Sequence, residues 1–391
     1  MHIINYYQEG FGYQENFFPY YQSINGCDVV VITSDYYFPF PDYDETMLEH
    51  LGDRHVGAGA YSEKGVKIVR KKSYFAHIRF PGLIYFNPIP EIDKFKPDIV
   101  HIHGATNTWF LKVAFYKAKY KYKIFVDNHQ DFMVESYNIK PLYNCFYYIW
   151  RFIYHNLGIA DKVCQFLPIT KSSQDWLKLR IGINSKNTMI VPLGVDTDAM
   201  FYKKKYDQEF RSQYDAADKI VIVNAGKQYK EKNILSIIEV AIRVSDLGAN
   251  VLLVLVGNAH GKYKSYIDNK LLDLGADNYV RLPFQDRSAL HKIYCASDVG
   301  IWPGIPSITI QEAMACRVAI IVPNNEIVGH LVDNNGCYIS NNNMDEVSKY
   351  IFELSGNSSY LENQKIRSQE IAEQYSWKNI VNDLNNIYEQ Y

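Results

Sequence analysis

The sequence predicts an α/β protein in which two doubly wound domains face each other across a cleft. Most apolar runs are short and continuous rather than alternating, as expected for parallel strands that are buried on both faces. The gaps between these runs are mostly about 20 to 40 residues long, which leaves room for a crossover helix. A polar, lysine-containing segment that begins at Asp196 divides the series in two. Sheets of this kind bind ligands at their carboxyl edges.

The first series of strands predicts an N-terminal domain over residues 1–200. The sequence opens directly into a strand, without the basic and apolar regions of a secretory signal. A strongly aromatic stretch, residues 142–158, favours a helix packed on this domain, with contact to a membrane surface as the alternative. The candidate strands are Ile3–Tyr7, Val29–Thr33, Val66–Val69, Ile99–His103, Ile124–Asp127, Phe166–Ile169 and Met189–Pro192.

The second series predicts a C-terminal domain of the same architecture over residues 201–370. Residues 371–391 follow a helical period, and we expect this helix to pack back toward the N-terminal domain. The candidate strands are Ile220–Val223, Val251–Val256, Tyr279–Leu282, Val299–Trp302, Ile320–Val322 and Gly336–Ser340.

Composition and charge exclude several classes of protein. Hydrophobic residues make up 47% of the 391 residues, which indicates a globular chain. The formal net charge of −2 gives no field that would attract nucleic acid. No apolar run approaches the roughly 20 residues that span a bilayer. Six cysteines without metal-ligand spacing favour a reducing, cytoplasmic location, at the inner face of the membrane if the aromatic stretch contacts lipid.

The stretch Asp298–Pro323 contains a strand, a turn, a helix and a second strand, which together form a βαβ unit. Ser307 is the candidate N-cap of the helix. The backbone N–H groups of Ser307, Ile308 and Thr309 would suit an anionic phosphate at the carboxyl edge of the sheet. Glu312 lies further along this mostly apolar helix. It is either a ligand of a ribose diol or a partly exposed glutamate.

A second candidate phosphate group follows the strand at Ile220–Val223. Gly226 and Lys227 come just after this strand, and Lys232 lies five residues further on. Two lysines at the end of a buried strand can reach one diphosphate, where each charge-assisted hydrogen bond contributes roughly 1.5–3 kcal/mol. The alternative is a solvated charged turn.

Two features of the first domain could face a ligand. Gly10 and Gly12 follow the first strand and would allow a close approach of the backbone, but the third glycine of a dinucleotide fingerprint would fall on Glu15. His129 follows another strand. Its imidazole could hydrogen-bond a sugar hydroxyl or transfer a proton, and the alternative is a structural histidine.

The sequence predicts neither a metal nor a cofactor. His101 and His103 alternate on one strand, but no third ligand lies within sequence reach. The acidic triplets Asp42–Asp44 and Asp196–Asp198 are of a kind that arises often by chance among 43 acidic residues, and Asp196 could equally cap a short helix.

These segments, taken in order, resemble the retaining, nucleotide-sugar-dependent glycosyltransferases of family four, which have the GT-B fold of two Rossmann-like domains. The order of the segments is far more specific than any one of them. The resemblance covers nearly the whole chain and includes GYQENFFPYYQSINGCDVVVITSDYY, KPDIVHIHG, VDNHQDF, MIVPLGVD, VNAGKQYKEKN, LLVLVGN, YCASDVGIWPGIPSITIQEAMAC and YSWKNIVNDLNNIYEQY.

The resemblance implies roles for the second-domain residues. Lys232 matches the diphosphate-binding lysine of the family, and Lys227 stands where an arginine is more usual. Glu312 matches the second glutamate of an E-x7-E pattern, which binds the nucleotide ribose. The backbone of residues 307–309 would contact the donor phosphates, and Gly226 belongs to the same donor-binding set.

In the first domain, His129 resembles the histidine that faces the donor sugar, and Gly12 resembles part of a glycine loop near the donor phosphates. The chain also departs from the family pattern. The first glutamate of E-x7-E falls on Gly304, and Arg317 and Ala319 replace the glycine and proline that usually follow the helix. One side-chain contact to the donor sugar is therefore missing.

The resemblance implies transfer of a sugar from a UDP- or GDP-sugar to a glycan or lipid-linked glycan, in the biosynthesis of a surface polysaccharide. In this family the leaving phosphate accepts the proton of the acceptor, so neither an enzymatic nucleophile nor a metal is required. Gly304 motivates one alternative, a catalytically silent nucleotide-sugar binder or partner subunit. A GT-B-like nucleotide-sugar 2-epimerase is another.

Overall fold

The computed structural model describes residues 1–40, 43–76, 83–135, 140–305, 307–340 and 343–391. It contains two compact units. Unit 1 comprises Met1–Leu193 and Trp377–Tyr391, and unit 2 comprises Gly194–Ser376. Each unit has its own sheet of mainly parallel strands with helices around it, which confirms the predicted α/β class. The predicted boundary at residue 200 and the polar segment that begins at Asp196 lie inside unit 2.

The elements are numbered in chain order. The strands of unit 1 are β1 (His2–Ile3), β2 (Val30–Ser34), β3 (Gly59–Glu63), β4 (Val66–Lys71), β5 (Phe75–Ala76), β6 (Ile84–Tyr85), β7 (Ile99–His103), β8 (Lys123–Asn128) and β9 (Gln165–Pro168). Among the described residues, one sheet has the order β3-β4-β2-β1-β7-β8-β9 and is parallel except for the β3–β4 hairpin. Strands β5 and β6 form a separate antiparallel pair.

The helices of unit 1 include the last helix of the chain. They are α1 (Gln14–Ile24), α2 (Tyr43–Thr46), α3 (Leu48–Leu51), α4 (Ile89–Phe95), α5 (Phe110–Tyr120), α6 (Phe132–Glu135), α7 (Lys140–Asn156), α8 (Lys171–Trp176, continued by a π turn over Leu177–Ile181) and α16 (Trp377–Glu389), with short 3₁₀ turns at Ala160–Lys162 and Ser185–Asn187. In α16, Trp377, Val381 and Leu384 lie in one buried cluster with Phe17 and Phe18 of α1. The last helix therefore completes the core of unit 1.

Unit 2 is built on a parallel sheet with the order β12-β11-β10-β13-β14-β15. Its strands are β10 (Ile220–Ala225), β11 (Val251–Val256), β12 (Tyr279–Leu282), β13 (Val299–Ile301), β14 (Ala319–Pro323) and β15 (Gly336–Ile339). Its helices are α9 (Lys204–Gln213), α10 (Ile234–Asp246), α11 (Gly261–Leu272), α12 (Arg287–Ala296), α13 (Thr309–Ala315), α14 (Met344–Gly356) and α15 (Ser358–Gln374), with 3₁₀ turns at Lys230–Lys232, Ala276–Asn278 and Gly329–Leu331. Within the described ranges, no helix is both long and apolar enough to cross a membrane.

Burial of the central strands follows from their apolar sequences. Every residue of β10 and of β11 is buried, as their continuous apolar runs predict. Helix α10 presents apolar residues at helical spacing. Of these, Ile234, Ile237, Ile238 and Ala241 join a core cluster with residues of both strands.

Asp298, directly before β13, is a buried carboxylate with several donors. Its Oδ2 accepts hydrogen bonds from Arg211 Nη2 at 2.8 Å and from the backbone N–H of Val221 at 2.9 Å, and its Oδ1 accepts one from Lys365 Nζ at 2.8 Å. Burial acts to raise the pKa of Asp298, but the charges of Lys365 and Arg211 outweigh it and hold the pKa below its ordinary value. The carboxylate thus joins α9, α15 and β10 to the start of β13.

Two strand predictions for unit 1 are wrong in part or whole. Strand β1 ends at Ile3, so the predicted Ile3–Tyr7 does not continue as a strand. The segment Met189–Pro192 is not a strand, although the backbone N–H groups of Met189 and Val191 each donate to a carbonyl of β9.

The sequence also gave no sign of the β3–β4 hairpin. Strand β3 is largely exposed and has no apolar run, so its pattern does not differ from that of a loop. Its two-residue turn places both Lys64 (φ +47°) and Gly65 (φ +85°) in the left-handed region, as a type I′ hairpin turn requires.

Candidate functional site

The predicted phosphate site lies where β10 and β13 end and α13 begins. The hydroxyl of Thr309 donates a hydrogen bond to the carbonyl of Ala225 at 3.0 Å, which ties the first turn of α13 to the end of β10. The prediction of Ser307 as N-cap is wrong by one residue. Ile308 is the N-cap, and its backbone angles are already helical (φ −59°, ψ −23°). Ser307, Ile308 and Thr309 are all half-buried.

Gly226 and Ser307 face each other at this corner. Gly226 has φ +141°, and a Cβ atom built on it would lie 3.9 Å from Ser307 Oγ. The carbonyl of Gly226 also lies against Gly257, where a Cβ atom would come within 2.0 Å of that oxygen. The backbone is therefore closely packed at the end of β10. Lys227 follows with an exposed side chain.

Lys232 ends the 3₁₀ turn and reaches the loop before α13. Its Nζ donates to the carbonyl of Ile305 at 2.6 Å, and the backbone N–H of Ile305 donates back to the carbonyl of Glu231 at 3.3 Å. Burial lowers the pKa of Lys232 to about 8, because the surroundings disfavour the charged ammonium. A partly desolvated ammonium that is bound to Ile305, two residues before Ser307, is well suited to bind a diphosphate.

Gly304 packs directly on the backbone of the Lys232 turn. A Cβ atom at Gly304 would lie 2.1 Å from the carbonyl oxygen of Glu231 and 2.7 Å from Cα of Lys232. Neither atom can move away as a flexible side chain would. No side chain therefore fits at position 304, where the family has its first glutamate, unless the backbone of Glu231 and Lys232 moves.

Glu312 is largely buried, with its side chain 14% exposed, and lies near Arg287 of α12. The distance from Arg287 Nε to Glu312 Oε1 is 3.5 Å, and Arg287 Nη1 donates to Asp196 Oδ2 at 2.8 Å. Burial raises the pKa of Glu312, and the charge of Arg287 only partly opposes this effect. Sequence patterns did not reveal Arg287, because both of its acidic partners are distant in the chain.

Gly12 and His129, the other predicted donor-binding residues, both lie in unit 1. Gly12 has φ +71° and lies in the loop that leads into α1. His129 follows β8 with a side chain that is 41% exposed, and its Nε2 lies 3.9 Å from Asp127 Oδ1. Their proposed contacts with a donor stay predictions.

Asp127 is the centre of a buried polar network in unit 1. It lies 2.6 Å from His103 Nδ1 and 3.1 Å from His101 Nε2, and it accepts from Gln14 Nε2 at 3.0 Å and from the backbone N–H of Gly104 at 3.0 Å. Burial acts to raise its pKa, but the charge and hydrogen bond of His103 and its other histidine neighbours outweigh burial and lower the pKa well below its ordinary value.

The register of β7 and β8 explains this network. Residues His103 and Asp127 are directly paired across the two strands, so Asp127 supplies the third group that the sequence did not reveal beside His101 and His103. His2 Nδ1 lies 3.1 Å from His103 Nε2, so the imidazoles are engaged in hydrogen bonds.

The two acidic triplets can be weighed from the sequence as metal sites, and the structure describes them to different extents. Asp42 lies outside the described residues. Asp196 Oδ1 accepts from the backbone N–H of Ala199 at 3.2 Å, while Oδ2 accepts from Arg287. Asp196 therefore caps a turn, the alternative that the sequence had favoured over a metal.

Two family models match the chain. The model of glycosyltransferase family 4 matches residues 20–199, and the model of glycosyl transferases group 1 matches residues 206–385. Together the two matches cover nearly the whole chain. The chain belongs to glycosyltransferase family four.

Known proteins of the same kind are similar to this family-four chain. An uncharacterized glycosyltransferase of Methanocaldococcus jannaschii, MJ1607, is 23% identical over 239 residues, which span 58% of this chain and 60% of that protein. The structure of Anabaena Alr3699/HepE in complex with UDP and glucose covers 100% of both chains, with a TM-score of 0.66 and 14% identity. WaaG, a glycosyltransferase involved in lipopolysaccharide biosynthesis, covers 99% of both chains, with a TM-score of 0.65 and 12% identity. The predicted GT-B fold is confirmed.

Arg317 shows how this family-four chain tolerates one of its departures. It follows α13 with φ +67°, a left-handed conformation in which glycine is usual after a helix. Its Nε donates to Gln369 Oε1 at 2.6 Å, and its guanidinium lies 4.9 Å from the centre of the Tyr202 ring. These contacts offset a backbone cost of about 1–2 kcal/mol.

The packing of Gly304 yields a test. We expect Gly304→Ala to lower the free energy of unfolding by about 1–3 kcal/mol, because the added methyl group overlaps the backbone of Glu231 and Lys232. Urea denaturation would measure this change.

The matched control is Gly356→Ala at the end of α14, where a Cβ atom would meet nothing within 4 Å. That variant should keep or slightly raise the stability, since alanine is the better helix former. Equal stability of Gly304→Ala and the wild type would show that the contact is not tight.

Proposed function

We propose that this chain is a glycosyltransferase whose unit 2 binds the diphosphate of a nucleotide sugar, with UDP- and GDP-sugars as the candidate donors. The observation that carries the proposal is the partly desolvated Lys232 ammonium, held 2.6 Å from the Ile305 carbonyl beside the loop that leads into α13. Family membership supports the reaction class. The complex of Anabaena Alr3699/HepE with UDP and glucose supports a uridine nucleotide as the first donor to test.

The corner offers several groups to a departing diphosphate. Lys232 and the exposed Lys227 carry positive charge, and the positive end of the α13 dipole lies at Thr309. Gly226 leaves space for a phosphate oxygen opposite Ser307. We assign Glu312 to the ribose diol, where a hydroxyl group would supply the hydrogen bond that a buried carboxylate needs.

We propose a retaining transfer without a metal. The acceptor oxygen forms its bond to the anomeric carbon while the bond from that carbon to the diphosphate oxygen breaks, and the leaving phosphate takes the proton of the acceptor hydroxyl. The two lysines supply the charge that a divalent cation would otherwise provide. The family resemblance alone assigns His129 to the donor sugar and Gly12 to the donor phosphates.

A lipid-linked glycan is the acceptor class that unit 1 supports best. Helix α7 buries Tyr147, Trp150 and Tyr154 on one face. On the opposite face Tyr148 is 72% exposed and Phe152 is 56% exposed. An exposed aromatic face beside a packed one suits insertion at the surface of a membrane that presents such an acceptor. The similarity to WaaG supports a role in surface polysaccharide biosynthesis.

Lys232→Ala tests the donor site directly. Removal of one charge-assisted hydrogen bond worth roughly 2–3 kcal/mol should slow sugar transfer by about 30- to 150-fold. Release of nucleotide from a donor and acceptor pair, measured by coupled assay, would give this ratio. Since the pKa of Lys232 is about 8, donor affinity of the wild type should also fall as the pH rises through 8, and this fall should be absent from Lys232→Ala.

Lys230→Ala is the matched control, because Lys230 is exposed in the same turn. It should transfer sugar at the wild-type rate. Wild-type activity in Lys232→Ala would refute the assignment of Lys232 as a ligand of the donor diphosphate. A wild-type chain that binds donor and never releases nucleotide would instead be the silent binder that Gly304 motivates, and conversion of the donor sugar without any acceptor would indicate the epimerase.

The α7 surface makes its own prediction. The chain should sediment with vesicles of phosphatidylethanolamine and phosphatidylglycerol, and Tyr148→Ser with Phe152→Ser should reduce the bound fraction more than tenfold, since each buried aromatic side chain contributes about 1.5–3 kcal/mol. Leu272→Ser is the control, because Leu272 is 71% exposed on α11 of unit 2. Equal binding of both variants would show that α7 does not contact lipid.

A further inference from the structure

Unit 2 contains a group of three buried side chains that have no role in the proposed transfer. His291, Cys295 and Cys316 are all buried, and one ligand atom from each lies within 4.8 Å of the other two. His291 and Cys295 are four residues apart on α12, so they project from the same face of that helix. Cys316 is the C-cap of α13. The group therefore joins two helices that are separate in sequence.

A backbone oxygen lies at the same point. The carbonyl oxygen of Phe201 is 2.5 Å from His291 Nε2 and 3.5 Å from Cys295 Sγ. The backbone N–H of Lys203 donates to Cys295 Sγ at 3.3 Å. Two sulfur atoms, an imidazole nitrogen and a carbonyl oxygen are thus gathered within one small buried volume.

This set of donors has the chemistry of a thiophilic metal site. Thiolate and imidazole are the ligands that bind Zn²⁺ and similar ions most firmly, usually in tetrahedral geometry. With metal–sulfur bonds of about 2.3 Å, two sulfur ligands of a tetrahedral ion lie about 3.8 Å apart, a spacing that fits within the observed limit of 4.8 Å. Two thiolates also neutralise a divalent cation, so that the buried site gains no net charge.

The buried group in unit 1 provides a contrast. The ligand atoms of His101, His103 and Asp127 also lie within 4.8 Å of one another, but strong hydrogen bonds account for their facing atoms. His103 Nδ1 lies 2.6 Å from Asp127 Oδ2, and His103 Nε2 lies 3.1 Å from His2 Nδ1. That group is satisfied without an ion. In the unit 2 group His291 Nε2 also has a partner, the Phe201 carbonyl at 2.5 Å, but the two thiols are weak hydrogen-bonding groups and gain much more from a metal.

We infer that His291, Cys295 and Cys316 form a structural binding site for a thiophilic divalent cation such as Zn²⁺. On binding, the metal replaces the two thiol protons, which leave to solvent, and bonds to both sulfur atoms and to an imidazole nitrogen. The hydrogen bond from His291 Nε2 to the Phe201 carbonyl breaks on binding, and the proton of Nε2 moves to Nδ1. The released carbonyl oxygen or a water molecule completes the coordination.

The site would stabilise the helix that carries the candidate ribose ligand. Cys316 lies four residues after Glu312 on the α13 segment, and His291 lies four residues after Arg287 on α12. An ion bound at this point would hold the two helices together beneath the Arg287–Glu312 pair. Its role is structural and separate from the chemistry of sugar transfer.

Cobalt provides the first test on the full chain. Metal-free, reduced protein titrated with Co²⁺ should bind one equivalent and show thiolate-to-cobalt charge-transfer absorption together with the visible bands of tetrahedral cobalt. Zn²⁺ should abolish these bands by displacement. Cys316→Ser should weaken Co²⁺ binding by more than about 100-fold, because it removes one of the metal ligands themselves.

Cys337→Ser is the matched control, since Cys337 is a half-buried cysteine of β15 outside the group. It should bind Co²⁺ as the wild type does. Absence of the charge-transfer band from the wild type, or an unchanged band in Cys316→Ser, would overturn the inference.

X-ray absorption of the wild type keeps the inference testable if Cys316→Ser does not fold. With one equivalent of Zn²⁺, the spectrum should show two sulfur neighbours at about 2.3 Å and nitrogen or oxygen neighbours at about 2.0–2.1 Å. A shell of nitrogen and oxygen alone would overturn the assignment. Neither measurement depends on transferase activity, so its outcome is independent of the proposed function.

Discussion

The buried carboxylate of Asp298 is the interaction on which the candidate site of unit 2 depends. Three donors from three different elements hold it, and it directly precedes β13. The other end of β13 leads within three residues to Gly304, where an added Cβ atom would overlap the backbone of the Lys232 turn. The short strand β13 is therefore held at both ends. Ser307, which lies opposite Gly226, follows three residues after Gly304.

The same contact explains the departure of this chain from its family pattern. Glutamate at position 304 would require the turn of Glu231 and Lys232 to move, because a side chain there meets backbone atoms. In this chain the Lys232 turn can keep its present position only because residue 304 has no side chain. The missing first glutamate and the position of Lys232 therefore depend on each other. The contact to a donor sugar that the family makes through that glutamate has to come from another group, and Ser307 is the polar side chain nearest in sequence.

The sequence predicted the sheets well because parallel strands that are buried on both faces read as continuous apolar runs, as β10 and β11 do. It failed for β3, an exposed strand whose residues resemble those of a loop, and for Met189–Pro192, an apolar segment that ends in proline. The residue pattern identified Lys232 and Glu312 as candidates with open alternatives, and the family resemblance gave each of them a role. The pairing of Arg287 with Glu312 and the meeting of His291, Cys295 and Cys316 depend on how helices pack, and no local pattern encodes such long-range contacts.

The affinity of unit 2 for a nucleotide sugar tests the central claim most directly. The measurement is the free energy of unfolding of the wild-type chain in the presence of a panel of UDP-, GDP- and ADP-sugars. A donor at 100 times its dissociation constant should raise this free energy by about 2.7 kcal/mol, and one class of nucleotide should do so at lower concentration than the others. No stabilisation by any nucleotide sugar would contradict the account.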